Sequence, residues 1–268
     1  SARYDAEGEV GIINIVLKKE KQKGINGSID LAAGIPHAHQ AGLNLNFRKK
    51  WVNLFTNLSG NYRQGPGRGS GFTEFNFPDT TYSFLRTRKH SRGGLGGNFN
   101  LGADFFLPGQ QTITVSALYK NSVGNNNSTL TYTDFNFLSE QTGESTRTDD
   151  EVESKEVIEA GLSYVKEFAQ KDRKWTADFK LVQSDDTENS NILQQFTNGT
   201  TDLQQRVSNT EDERTWFLQS DYIQPFGKKG KIETGIRSTL RYIENDYGVD
   251  ELQPDSTWIP LGDFNNFF

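Results

Sequence analysis

Leu95-Gly-Gly-Asn-Phe-Asn-Leu-Gly-Ala-Asp-Phe-Phe-Leu-Pro-Gly-Gln-Gln-Thr-Ile-Thr-Val-Ser-Ala-Leu-Tyr-Lys120 reads as two ribbons joined by a single turn. In a pleated strand successive side chains point to opposite faces, so Leu95, Phe99, Leu101, Ala103, Phe105 and Leu107 share one side. Asn98, Asn100 and Asp104 share the other. Leu107-Pro-Gly-Gln110 reverses the chain, because Pro presets φ and Gly tolerates the conformations a tight turn demands. After it, Ile113, Val115, Ala117 and Tyr119 alternate with Thr112, Thr114, Ser116 and Lys120. Every charge in the hairpin sits on one face, and the other face is purely apolar.

The same pattern extends both ways along the chain. Ile25, Ile29, Leu31 and Ala33 oppose Asn26, Ser28 and Asp30; Leu43, Leu45 and Phe47 oppose Asn44, Asn46 and Arg48; Val52, Leu54, Leu58 and Tyr62 oppose Asn53, Asn57, Ser59 and Asn61. Downstream, Ile158, Ala160, Leu162 and Tyr164 oppose Glu159 and Ser163; Trp175, Ala177, Phe179 and Leu181 oppose Thr176, Asp178 and Lys180. Trp216, Leu218 and Tyr222 oppose Gln219 and Asp221; Ile232, Ile236, Leu240 and Tyr242 oppose Glu233, Arg237 and Arg241. That makes about nine strands, each with about 9–11 residues of alternation, the length a tilted strand needs to cross hydrocarbon.

Tight turns recur at Trp51, Pro108, Asp172 and Lys228, about every 60 residues. Between them lie long polar segments expected to be loops: Gly65 to Arg92, the acidic stretch from Lys120 to about Glu156, Ser184 to about Arg214, and Asp246 to about Pro260. Short turns alternating with long loops, and Trp51, Phe168, Trp175 and Phe226 beside the short ones, suit a transmembrane β-barrel with an aromatic girdle. A soluble β-sandwich explains the alternation equally well, but not that asymmetry of connections.

Composition is compatible with the barrel. The 268 residues include 26 Gly, 12% aromatics, no Cys and no Met, with a net charge of −6. Without Cys there is no disulfide framework, thiolate metal site or Cys nucleophile. The negative charge gives no reason to expect a nucleic-acid surface. A mean hydropathy of −0.70 and the lack of a long apolar run exclude a transmembrane helix, though not a barrel whose strands show lipid only every second residue.

The opening segment, Ser1 to Lys19, carries a more specific signal. Tyr4, Gly8, Gly11, Ile13, Asn14, Ile15 and Lys18 stand where the closing segment of the plug domain in TonB-dependent outer-membrane receptors has a Tyr-x-x-x-Gly turn, Gly-x-Ile-Asn-Ile and a Lys-rich exit, and the chain resembles that family there. Pro225-Phe-Gly-Lys-Lys-Gly-Lys-Ile-Glu-Thr-Gly235 is similar to a turn of the related outer-membrane β-barrel proteins of Bacteroidetes. The resemblance implies an all-β chain: residues 1–23 as the end of a plug, then 24–268 as the first part of an antiparallel transmembrane barrel, about nine of 22 strands. Ser1 opens inside a motif, so the chain reads as a piece of something longer. The resemblance further implies Arg3 and Glu7 as plug-barrel contacts, and Asp30, Asp104, Asp178, Glu233 and Arg237 as lumen-facing residues.

Candidate chemistry is sparse. Phe72, Phe75, Phe77, Tyr82 and Phe84 could stack on a ligand above the barrel, or on one another. His37 and His39 have the spacing of two metal ligands without a third nearby, so no metal is assigned. Gly65-Pro-Gly-Arg-Gly-Ser-Gly71 lacks the Lys-Ser/Thr ending of a phosphate loop. The basic segment Arg63 to Arg92 could meet lipopolysaccharide phosphates, and Asp149-Asp150-Glu151-Val152-Glu153 could meet cations, although charge runs are usually solvated surface. No nucleophile-base constellation occurs, and neither enzymatic activity nor a cofactor is expected. The expected role is ligand import across the outer membrane of a Gram-negative bacterium, in contact with lipid and, through a part not in this chain, with a periplasmic TonB-type energy-coupling protein. The alternative is a structural or assembly barrel that moves no ligand and holds a surface lipoprotein or other outer-membrane partner through its loops.

Overall fold

The computed structural model describes residues 24–267 except 79, 198, 228, 229 and 265. Nine long strands follow one another as an antiparallel meander: β1 (Gly24–Gly34), β2 (Ala38–Arg48), β3 (Val52–Asn76), β4 (Thr81–Leu107), β5 (Gln111–Phe135), β6 (Gln141–Glu167), β7 (Lys174–Phe196), β8 (Leu203–Phe226) and β9 (Gly230–Leu252). Two short strands, β10 (Trp258–Pro260) and β11 (Asn266–Phe267), both pair with β9, and the described helical content is one 3-10 turn at Gly262–Phe264. Sequential antiparallel neighbours need only tight turns, and the turns are where Pro, Gly and short polar residues put them. Lys49 N–H donates to Val52 O at 2.7 Å to close the β2–β3 turn.

Register turns the alternation into two chemically distinct faces. Ile25, Phe47, Leu54, Ala103, Val115, Leu162, Phe179 and Leu218 lie in one row across eight strands. The adjacent row on that face holds Leu45, Thr56, Leu101, Ala117, Ala160, Leu181, Trp216 and Leu240. On the opposite face Asn53, Asp104, Thr114, Ser163, Asp178, Gln219 and Arg237 form a row in the same way.

Among the described residues nothing covers the apolar face. Each strand touches only the strands it pairs with, the 3-10 turn touches β9, and there is no second layer among the described residues. Leu101, Leu162 and Leu218 are 44%, 49% and 54% exposed. Among the described residues only Val52, Ile192 and Val249 are buried apolar side chains. A sandwich would have sealed these leucines between two sheets, so the sandwich alternative falls. A sheet without a core of its own needs another apolar phase against that face, and hydrocarbon is one. Along β8 from Leu203 to Gln219 the polar-face residues are half-buried while the intervening residues are exposed. The sheet therefore curls with its polar face inside. Among the described residues β1 and β9 do not pair, so the curl is not closed.

The expected loops are a point of correction. Gly65 to Arg92 is the continuation of β3 and β4, with its reversal confined to Phe77–Thr80; the acidic segment before Glu156 continues β5 and β6; Ser184 to Arg214 continues β7 and β8; and β9 runs on to Leu252. These strands have 23 to 27 residues against 11 in β1 and β2. At about 3.3 Å per residue a 25-residue strand is about 80 Å long, far more than a tilted crossing of hydrocarbon uses. Beyond the apolar band both faces are polar, so hydrophobic alternation vanishes while the backbone ladder persists.

At the other end the turns stay short and aromatic. Tyr164 meets Trp175 edge-on at 5.2 Å, and Phe168 meets Tyr222 at 6.2 Å. The Arg173 guanidinium lies 4.3 Å over Phe168 and donates from Nε to Tyr222 OH at 2.7 Å, and Trp175 Nε1 donates to Ser220 Oγ at 2.9 Å. Rings with a greasy body and a polar tip are suited to the boundary between hydrocarbon and water.

Candidate functional site

The inner face is held by a lattice of side-chain hydrogen bonds running across the strands. Ser28, Asn44, Asn57 and Asn100 stand in one row. Asn44 Nδ2 donates to Ser28 Oγ at 3.2 Å, and Asn57 Nδ2 donates to Asn44 Oδ1. Asp104 accepts from Asn53 Nδ2 at 3.0 Å and from Thr114 Oγ1 at 2.7 Å, joining β3, β4 and β5. Asp178 accepts from Ser163 Oγ at 2.6 Å. Asp30 accepts from Ser28 Oγ and Asn44 Nδ2, both at 3.4 Å. Glu233 pairs with Lys231 Nζ at 2.6 Å, and the Arg237 guanidinium lies 5.0 Å over the Phe217 ring. The register thus puts Asp30, Asp104, Asp178, Glu233 and Arg237 on the inner face, spread over four strands, β1, β4, β7 and β9, rather than gathered at one point. Arg3 and Glu7, with the rest of the 1–23 segment, lie outside the described residues.

Above the apolar band the inner face divides by charge. The acidic run of β6 is split by the pleat: Asp149, Glu151 and Glu153 share the inner face, and Asp150 shares the outer. Asn126 Nδ2 donates to Glu151 at 2.5 Å and Ser190 Oγ to Asp149 at 2.9 Å. Glu153, Asp186 and Glu188 bring carboxylate oxygens within 4.8 Å of one another. The Lys155 ammonium stands beside them, 2.8 Å from Asp186 Oδ2, and supplies the positive charge this group needs. Burial pushes the Glu188 carboxyl upward, with Glu151, Asp186 and Glu153 adding to it and a hydrogen bond from Asn209 opposing it. His37 and His39 hold their rings 6.1 Å apart, with His39 stacked on Tyr62; no third ligand joins them among the described residues.

On the outer face, directly above the apolar rows, Glu156, Asp185, Asp212 and Glu244 stand side by side on β6 to β9. A hydrogen bond with Asp185 raises the Asp212 carboxyl above its ordinary value; desolvation and the charges of Asp185 and Glu244 add to this, and Arg214 opposes it. A raised carboxylate pKa means that the folded state holds the proton more tightly than the unfolded one. Stability at this row is therefore gained as pH falls through the raised value and lost as pH rises through it. Asp212→Asn removes a directly opposed like charge. It should slow amide exchange of the β7–β8 extension about twofold to fivefold at pH 7 and flatten its dependence on pH across the carboxylate range.

The five aromatic residues expected to act together are divided by the structure. Phe75, Phe77, Tyr82 and Phe84 cluster at the tip of the β3–β4 hairpin: Phe75 to Tyr82 is 4.8 Å, Phe75 to Phe84 6.1 Å and Phe77 to Tyr82 6.1 Å between ring centres. Tyr132 of β5 joins them, 5.9 Å from Phe84. Phe72 is an odd number of residues from Phe75 along an unbroken strand, so it faces the other way, paired with Leu85. In the sequence the cationic residues of the same hairpin stand out only as a run. Arg86, Arg88, His90 and Arg92 in fact recur at every second position or multiple of it, which puts all four on the inner face with the rings. That two-residue period was visible in the sequence.

Residues 166–268, from the end of β6 through β7, β8 and β9, match the family model described as the outer membrane protein beta-barrel family. No curated protein matches the chain. A coreless sheet with one apolar and one polar face, aromatic rings at its turns and this match over its C-terminal part together make the chain an outer-membrane β-barrel protein of a Gram-negative cell envelope.

Proposed function

We propose that the chain is the plug end and first part of the barrel of a TonB-dependent receptor that imports a ligand, with no catalytic step of its own. The observation that carries this reading is the inner wall. It is polar and hydrogen-bonded along its length, and after nine long strands β1 and β9 still do not pair among the described residues. A barrel of about eight strands is just filled by its own side chains; a wider one encloses a space that a plug can occupy. Polar contacts between plug and wall can be exchanged for water without exposing apolar surface, which suits a plug that must move. The resemblance of Ser1 to Lys19 to a plug terminus supports the same reading. The extensions above the band would capture the ligand before it enters.

The test is accumulation of the ligand by cells that express the full-length protein, with and without the periplasmic energy-coupling protein. Import should fall to the passive level when the coupling protein is absent. Equal accumulation in both strains would overturn the reading and leave a structural barrel whose hairpins hold a partner.

A further inference from the structure

The outer half of the β3–β5 sheet carries a feature that the polar wall does not explain. Across its inner face each cation of β4 is paired with a glycine of β3: Arg92 with Gly65, His90 with Gly67, Arg88 with Gly69 and Arg86 with Gly71. The result is a trough one strand wide. Its floor is bare backbone, one wall is a column of cations, and its ends are Arg63 below and Phe75 above. A Cβ placed on Gly67 would come within 2.3 Å of the His90 ring, so that ring leans across the floor, whereas Gly69 and Gly71 have open space above them. At about 3.3 Å per residue the column from Arg86 to Arg92 is about 20 Å long.

Among the described residues these cations have no protein partner. No hydrogen bond or ion pair is made by the side chains of Arg86, Arg88 or Arg92 among the described residues. Arg88 Nε and His90 Nδ1 are shielded from water and have no hydrogen-bond partner. Leaving such groups unmatched is costly, and an anionic acceptor would satisfy them. One carboxylate, Asp134 of β5, stands opposite Phe84 beyond the upper end of the column, and the acidic column of β6, Asp149 and Glu151, is separated from the cations by Ser128 and Asn126 of β5 and is already hydrogen-bonded. In a chain with a net charge of −6, this is a concentrated positive strip facing an acidic wall.

We infer that the trough binds an acidic oligosaccharide, its carboxylates against the Arg86–Arg92 column and its terminal ring on the Phe75, Phe77, Tyr82, Phe84 and Tyr132 platform. The column runs directly into the platform, since Arg86 pairs with Tyr132. Aromatic faces reward a ligand with rings, and hydroxyl groups can both donate to and accept from the bare backbone. An acidic peptide added as a strand along β3 fits less well, because Pro66 within the free edge has no N–H to give. Phosphates of the surrounding lipid surface fit less well too: on the outer face they would meet only the paired Arg68 and Lys89 of this hairpin. The acidic wall of β6 to β8 repels the ligand from the rest of the vestibule and so confines it to the trough.

This deepens the import reading and rests on it for biological purpose, but the test is binding alone. Full-length protein in detergent is titrated calorimetrically with oligogalacturonate, with its methyl-esterified and therefore neutral form, and with inorganic polyphosphate. Oligogalacturonate should bind at least about tenfold more tightly than either control. Arg88→Gln with Arg92→Gln should weaken it about 100-fold, the loss of two charge-assisted contacts. Arg68→Gln with Lys89→Gln, the same charge change on the outer face, should alter it less than about twofold. Equal binding of the ester, polyphosphate binding as tight as the sugar, or equal losses from the two faces would each overturn the assignment. Should the inner-face variant fail to insert, the unaltered protein still decides the matter through its three ligands. Binding without uptake would sink only the import reading, and uptake of some other ligand without this binding would sink only the trough.

Discussion

Leu218→Arg should cost about 2–4 kcal/mol and sharply reduce the amount of folded protein recovered from the outer membrane. Leu218 is 54% exposed and is the β8 member of the apolar row Leu54, Ala103, Val115, Leu162, Phe179. A guanidinium at the bilayer midplane has no counter-charge there and must deform the lipid or snorkel to reach water. Its neighbour Gln219 points inward, opposite Asp178 and Arg237 in the register, and its Nε2 donates to Asp221 Oδ2 at 2.6 Å, so Gln219→Arg keeps a donor for that carboxylate, with Asp178 beside it, and should cost less than about 1 kcal/mol. The measurement is urea unfolding in lipid vesicles for both variants. Comparable losses at Leu218 and Gln219 would mean that lipid does not lie against the apolar face.

Gly94→Ala is expected to be nearly as severe, although it adds one methyl group outside the membrane. A Cβ at Gly94 would fall 2.0 Å from the Val123 carbonyl oxygen and 2.7 Å from the Gly124 Cα. Both are backbone atoms of the paired strand, so no side chain can swing aside, and the ladder between β4 and β5 must open instead. Overpacking of this kind costs about 3 kcal/mol. Gly69→Ala, on the open floor of the same hairpin, meets no atom within 4 Å and should be tolerated. Proteolysis of the outer hairpins in intact cells separates the two outcomes: Gly94→Ala should be cut near Tyr62 to Arg92 under conditions where Gly69→Ala is not.

The membrane-spanning part of this fold was legible because hydrocarbon imposes a rule on sequence. Phe99, Leu101 and Ala103 must be apolar and Asn98, Asn100 and Asp104 need not be, so the two-residue period is written in side-chain chemistry. Beyond Tyr62 and Tyr119 water lies on both faces and that rule lapses. His90, Ser128, Asp149, Ile192 and Gln205 stand in one row across β4 to β8, but nothing in their hydropathy says so, and the strands they extend read as loops. The aromatic group was half legible for the same reason. Phe75, Phe77, Tyr82 and Phe84 are close in sequence, yet only strand parity separates Phe72 from them. Inner-wall residues such as Asp104 were recognisable as the polar face, whereas their partners, Asn53 and Thr114, depend on registers fixed by the length of each turn.

The unequal heights of neighbouring strands bear on how a long molecule could get in. β2 stops at Ala38 opposite Arg63 and the last bond on that side runs from Gln64 N–H to His37 O, while β3 climbs on to Asn76, so 12 residues of β3, Gly65 to Asn76, have no neighbour on that side among the described residues. The palisade around the entrance thus has a gap cut down one side, level with the glycine floor. A polymer still attached at its far end could slide in through that gap sideways, without its free terminus having to find the opening from above.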